Sequence, residues 1–176
     1  FNSEEREEIR RRLRRNPKPE DIPPINQFYT VGWIVKFLTH NTLGRLWLER
    51  HPDSPLRREL DYLVPVRNDF RPPKDFPPPV TEWKILDPAC GSGHFLLGAF
   101  DLLLKMWLEE RPDLPPWKIP ALILERNLYG VDIDLRACQI AATALYLKAR
   151  TAFEKLKEND SNARFEVSRI NIACAD

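Results

Sequence analysis

The chain has 176 residues, 43% hydrophobic and 30% charged, with a formal net charge of +1. That length can bury one sizeable core, and the near-neutral balance excludes a global electrostatic signature for nucleic acid or a membrane surface, leaving only local faces. With no run of about 18 uncharged apolar residues and no signal peptide, the composition predicts a soluble, cytoplasmic protein without a membrane partner.

In chain order, residues 3–15, SEEREEIRRRLRR, read as a helix with Ser3 as its cap, early acids and late arginines complementing the helix dipole. Glu7 with Arg11 and Glu8 with Arg12 are favourable i,i+4 pairs. Such a run can meet phosphates, but a solvated helix explains it as well. NPKPEDIPP then ends it, because prolines remove donors and push their preceding residues toward extended backbone. Residues 1–25 therefore form a charged helix and linker.

Residues 26–66 form a second helical segment. NQFYTVGWIVKFLTHNTLGRLWLERH is helical from about Val31, with Thr30 as its cap, and Ile34, Phe37, Leu38, Leu43, Leu46 and Trp47 supply an apolar face for a core. SPLRRELDYLV is a further short helical candidate. Much of the total of 17 prolines falls around residues 67–82, which read as a stiff connector of polyproline character.

From residue 83 the pattern changes to alternation of short apolar runs with long helical ones. Strands are predicted near 84–87, 127–133 and 170–175, and helices over 92–110 and 134–157. The first helix is apolar nearly all round, which predicts deep burial. The second places Ala137, Ile140, Ala141, Ala144 and Leu145 on one face. Strand–helix alternation predicts an α/β domain with a parallel sheet and helices on its faces, whose ligands bind beyond the carboxyl ends of the strands. The cysteines, Cys90, Cys138 and Cys174, form no CxxC pair and read as buried reduced thiols; the three histidines share no ligand spacing, so no metal is expected.

All three predicted strands end in a carboxylate: Asp87, Asp132 and Asp176. One such acid is commonly a helix cap; three at one sheet edge line a single crevice. After Asp87 come Pro88, Ala89, Cys90 and GSG. Gly91 and Gly93 permit positive φ and let a ligand approach where a Cβ would otherwise stand. The following helix N-terminus favours an anionic group. A lysine followed by serine or threonine is missing, which removes the P-loop, and Leu96 occupies the third glycine position of the dinucleotide fingerprint. An amino-acid nucleoside fits better. Asp87 can take its ammonium, the glycine loop its chain, Asp132 both ribose hydroxyls and Asp176 the adenine amino group, with Ile133 or Phe95 against the ring. S-adenosylmethionine presents all of these groups.

ILDPACGSGHFL resembles the first motif of amino-group DNA methyltransferases, in particular the adenine-N6 enzymes of restriction-modification and related defence systems. YGVDID and NIACAD resemble their second and third motifs. NQFYTVGWIV resembles the segment usually written Tyr-Thr-Pro that closes over the methionine end of the cofactor, with Val31 in place of the proline. VGWIVKFLTHNTLGRLW, GSGHFLLGAFDLL and ILERNLYGVDIDLRACQIAATALYLKA narrow the resemblance to the PglX-type adenine methyltransferases of BREX phage-exclusion systems.

The resemblance implies a partial Rossmann-like class I methyltransferase fold over 83–176, preceded by an N-terminal helical segment. It also implies S-adenosylmethionine contacts from Thr30, Asp87, Ala89, Gly91, Gly93, Phe95, Asp132, Ile133 and Asp176. DNA is then the partner, largely through regions outside these residues, along with other defence-system subunits. The family's fourth motif, Asn or Asp followed by Pro-Pro and an aromatic, does not occur in the 176 residues, so no catalytic residue is expected in this stretch. The absence of an initiating Met before Phe1 and a last residue directly after an apolar run predict a fragment of something longer. Two other readings stay open: transfer to an RNA base or a protein amide, and a catalytically silent cofactor-fold module for DNA binding or assembly.

Overall fold

The structure is a computed structural model that describes Arg11 and residues 30–65, 76–158 and 160–175. The charged helix expected at 3–15, most of the proline connector and Asp176 lie outside the described residues, apart from Arg11 and the connector's end. The chain divides into two compact units, residues 1–31 and 32–176, each taken by itself. The fold below is that of the second.

It opens with α1 (Gly32–Thr39), which runs through a π-helical turn (His40–Gly44) into α2 (Arg45–Arg50). The π turn buries His40, whose Nδ1 accepts the Tyr62 N–H at 3.4 Å. That burial holds its imidazole pKa below the ordinary value. Ser54 then caps a short 3₁₀ turn (Pro55–Glu59) by accepting the Leu56 N–H. It also takes the Trp47 indole N–H and donates to Glu109.

The remainder follows the predicted alternation with one further helix, α4, in the crossover where none was predicted: β1 (Ile85–Asp87), α3 (His94–Glu110), α4 (Ile119–Arg126), β2 (Leu128–Asp132), α5 (Leu135–Leu156) and β3 (Asn171–Cys174). The three strands form one parallel sheet in the order β1-β2-β3. Leu86 pairs with Tyr129, and Asp132 with Cys174. Leu128 and Gly130 share the face packed by α3 and are buried, whereas Leu86, of opposite parity, is 59% exposed. A continuous core of Trp47, Phe100, Leu103, Met106, Trp107, Ile123 and Leu145 joins α2 to the sheet's helices. Among the described residues, no helix is long and apolar enough to cross a membrane.

Two predicted helix faces are corrected. On α1, Phe37 and Leu38 are exposed, while Val35 and Thr39 are buried. The cause lies on α3: Gly98 has no side chain, and a Cβ there would overlap Cγ1 of Val35. The helices therefore meet through their slimmest edges, and the bulkier residues of α1 turn outward. On α5 the buried stripe is Cys138, Ala141, Leu145 and Ala149, and Ile140 is 57% exposed. Here the constraint is the close approach of Ala141 to Gly93, whose built Cβ would stand 3.1 Å from that of Ala141.

The α1–α3 crossing yields a test. Gly98→Ala raises helix propensity, yet it is expected to destabilise the chain by about 1–3 kcal/mol through overpacking. Urea unfolding measures it, and Val35→Ala in the Gly98→Ala background should recover part of the loss. A net gain in stability from Gly98→Ala alone would contradict the close crossing.

Candidate functional site

The predicted site residues that the structure describes in the second unit gather at the carboxyl edge of the sheet. Asp87 closes β1 and pairs in register with Gly130, while Asp132 closes β2 two residues further along. Between β1 and α3 runs the turn Pro88–Gly93. One oxygen of Asp87 accepts the Ala89 N–H at 3.2 Å, starting the turn. The Cys90 N–H then bonds to Val131 O at 3.0 Å, the Gly91 N–H to Asp132 Oδ2 at 2.7 Å, and the Gly93 N–H back to Cys90 O at 2.8 Å. The turn is thus sewn onto the end of β2.

Both glycines take positive φ, +51° at Gly91 and +85° at Gly93, a region that L side chains rarely adopt. Their surroundings differ. Nothing lies within 4 Å of a Cβ built on Gly91, so the turn is open there, whereas Gly93 is backed by Ala141. Gly93 also occupies the N-cap of α3, whose first N–H groups have no intrahelical acceptor.

Asp132 accepts on both oxygens: Gly91 N–H on Oδ2 and Asp134 N–H on Oδ1 at 2.9 Å. Beside it Ile133 is an apolar side chain left 84% exposed. Ala89 is exposed, and Phe95, on the first turn of α3, is half-buried. Thr30 belongs to the first unit, and Asp176 lies outside the described residues. The structure therefore brings together Asp87, Ala89, Gly91, Gly93, Asp132 and Ile133.

Two features escaped the sequence reading. Asp134 caps α5, its carboxylate accepting the Arg136 N–H at 2.9 Å, and that bond holds its pKa below the usual carboxylate range. The cap thus operates at neutral pH and is lost as pH falls through the lowered value. An aspartate directly before an apolar helical run was the available signal. Ser92 and His94 form a polar pair at 3.1 Å on the turn. Cys90 packs beneath the strand: a Cβ on Gly130 would meet its Sγ at 3.0 Å.

The thiols correct one expectation. Cys90 and Cys138 are buried, but Cys174 is exposed at the end of β3. Burial, followed by the nearby Cys138, Asp87 and Asp132, pushes the Cys90 pKa up to about 11. At pH 8 only about one part in a thousand is then thiolate, so low reactivity is expected of Cys90. Iodoacetamide at that pH should alkylate Cys174 first and Cys90 last, as read by peptide mass spectrometry. Rapid labelling of Cys90 would contradict this packing.

This turn and its strands fall within a match to known proteins. The family described as MmeI, DNA-methyltransferase domain, matches residues 74–170. The chain is 40% identical over 143 residues to the adenine-specific methyltransferase BrxX of Escherichia coli, covering 76% of the chain and 12% of that protein. It is 37% identical over 147 residues to the adenine-specific methyltransferase PglX of Lacticaseibacillus casei, covering 74% of the chain and 12% of that relative. A putative type II restriction enzyme and methyltransferase of Methanocaldococcus jannaschii is 30% identical over 139 residues, 70% of the chain and 12% of its own length. The chain thus spans about an eighth of the length of these curated relatives. With a strand-end acid, a glycine turn and a second strand-end acid inside the matched region, the chain belongs to the MmeI-type DNA-methyltransferase domain family.

Proposed function

We propose that this chain is the S-adenosylmethionine-binding part of a site-specific DNA adenine-N6 methyltransferase of a restriction-modification or BREX-type defence system. The observation that carries the reading is the open glycine turn between Asp87 and Asp132 at one sheet edge. The site chemistry suits an amino-acid nucleoside: a carboxylate for an ammonium, helix N–H groups for a carboxylate, and acceptors for ribose hydroxyls beside an exposed apolar side chain. A doubly wound Rossmann-like sheet is the architecture this proposal assumes for the complete domain.

When bound, the cofactor supplies a methyl group on a sulfonium. Within the proposal, Asp87 holds the ammonium, Ala89, Gly91 and Gly93 line the amino-acid chain, and Asp132 takes the ribose hydroxyls. Ile133 and Phe95 cover the adenine ring, and Thr30 and Asp176 are the further cofactor contacts that the family resemblance implies. The protein's contribution is alignment and a preorganised polar surround, without a covalent intermediate. The acceptor adenine has to leave the base stack to be reached. Since the 176 residues contain no Asn/Asp-Pro-Pro-aromatic string, this chain by itself is expected to bind the cofactor without transferring methyl to DNA.

Calorimetric titration with S-adenosylhomocysteine tests the reading. One binding event per chain is expected, with no binding of a nicotinamide dinucleotide. No binding of S-adenosylhomocysteine would overturn it.

A further inference from the structure

We propose that Asp132 also positions the glycine turn, so that the two halves of the cofactor site are joined through its side chain; this rests on the cofactor reading above. A carboxylate has about four acceptor positions, two on each oxygen. Here the protein itself uses both oxygens: Oδ2 for the Gly91 N–H at 2.7 Å and Oδ1 for the Asp134 N–H at 2.9 Å. One position per oxygen is left, which matches the two hydroxyls of a ribose. Asp132 is therefore a hub between the turn that faces the amino-acid chain and the β2 end that faces the nucleoside.

Geometry explains why the tether is needed. Gly91 sits at φ +51° with nothing within 4 Å on its Cβ side, so side-chain packing does not hold the turn from above. The turn is anchored at Cys90, through Val131 O, and at Gly93, through Cys90 O and the close contact with Ala141. The Gly91 N–H lies between these anchors, and Asp132 is the side chain it bonds to. Alanine at this position offers no acceptor, so both the Gly91 and the Asp134 bonds are lost.

The test uses Asp132→Ala and, as a second variant, Asp132→Glu, which keeps the charge and lengthens the arm. In the ligand-free chain, hydrogen exchange at the Gly91 amide should accelerate about tenfold in either variant, while Leu103 and Leu145 in the core keep their protection. Unchanged exchange at Gly91 in both variants overturns the proposal, whatever the ligand does. The second readout is affinity for S-adenosylhomocysteine and for its 2′,3′-dideoxy analogue, which lacks the hydroxyls. A tether predicts that Asp132→Ala weakens even the dideoxy analogue, by about tenfold. If Asp132 were only a ribose ligand, the analogue would bind wild type and variant alike, and that result would also overturn the proposal. Failure of wild type to bind either ligand, with faster Gly91 exchange in the variants, would sink the cofactor reading and leave the tether standing.

Discussion

Asn127→Ala is expected to destabilise the chain by about 4 kcal/mol, a large fraction of what a domain of this size holds in reserve. Asn127 is fully buried between α4 and β2. Its Oδ1 accepts the Trp107 indole N–H at 2.9 Å, and its Nδ2 donates to Val80 O and Trp83 O, each at 2.9 Å. Its main chain adds the Ile85 N–H bond that begins the β1–β2 pairing. One amide thus ties α3, the end of the connector and the base of both acid-bearing strands. Alanine leaves a buried indole donor and two carbonyls without that partner, at roughly 1–3 kcal/mol for a strictly orphaned group, and adds a small cavity. Urea unfolding of the chain measures the sum. A loss below about 1 kcal/mol would mean that water or a rearranged backbone replaces the amide.

Asp87→Asn should weaken S-adenosylhomocysteine binding roughly 10- to 100-fold, or about 1.5–3 kcal/mol, by removing a charge-assisted partner of the ammonium. The substitution is nearly isosteric. An amide oxygen can still accept the Ala89 N–H that starts the turn, so the local fold should persist. The control is 5′-methylthioadenosine, which carries the nucleoside but no ammonium: its affinity should be the same in wild type and Asp87→Asn. Equal losses for both ligands would show that Asp87 shapes the turn and does not read the amino group.

Much of the site was legible because its signals are local. ILDPACGSG places an acid and two glycines within a few residues, and the positive φ values at Gly91 and Gly93 are what that spacing demands. Asp87 and Asp132 sit at strand ends because apolar runs terminate there. The helix faces were less legible: Phe37, Leu38 and Ile140 have the hydrophobicity of core residues, yet they are exposed. Periodicity identifies a stripe but cannot weigh the partner surface, and here Gly98 and Gly93 decide which edge comes closest. Cys174 was misjudged for a related reason, since its apolar neighbours say nothing about which face of a sheet is covered.

By itself, then, the sequence determined the order of the three strands and the two long helices, though not α4, together with the glycine turn and the acids that flank it, because each follows from side-chain chemistry within one element or one turn. It also determined the family, through the extended motif around that turn. Only the tertiary structure decided that Asp132 bonds to Gly91, 41 positions away, that Asn127 ties the far ends of both strands, and that Cys90 is masked under Gly130. These are contacts between segments brought together by the parallel pairing of β1 with β2, and no local pattern encodes the register that puts them within reach.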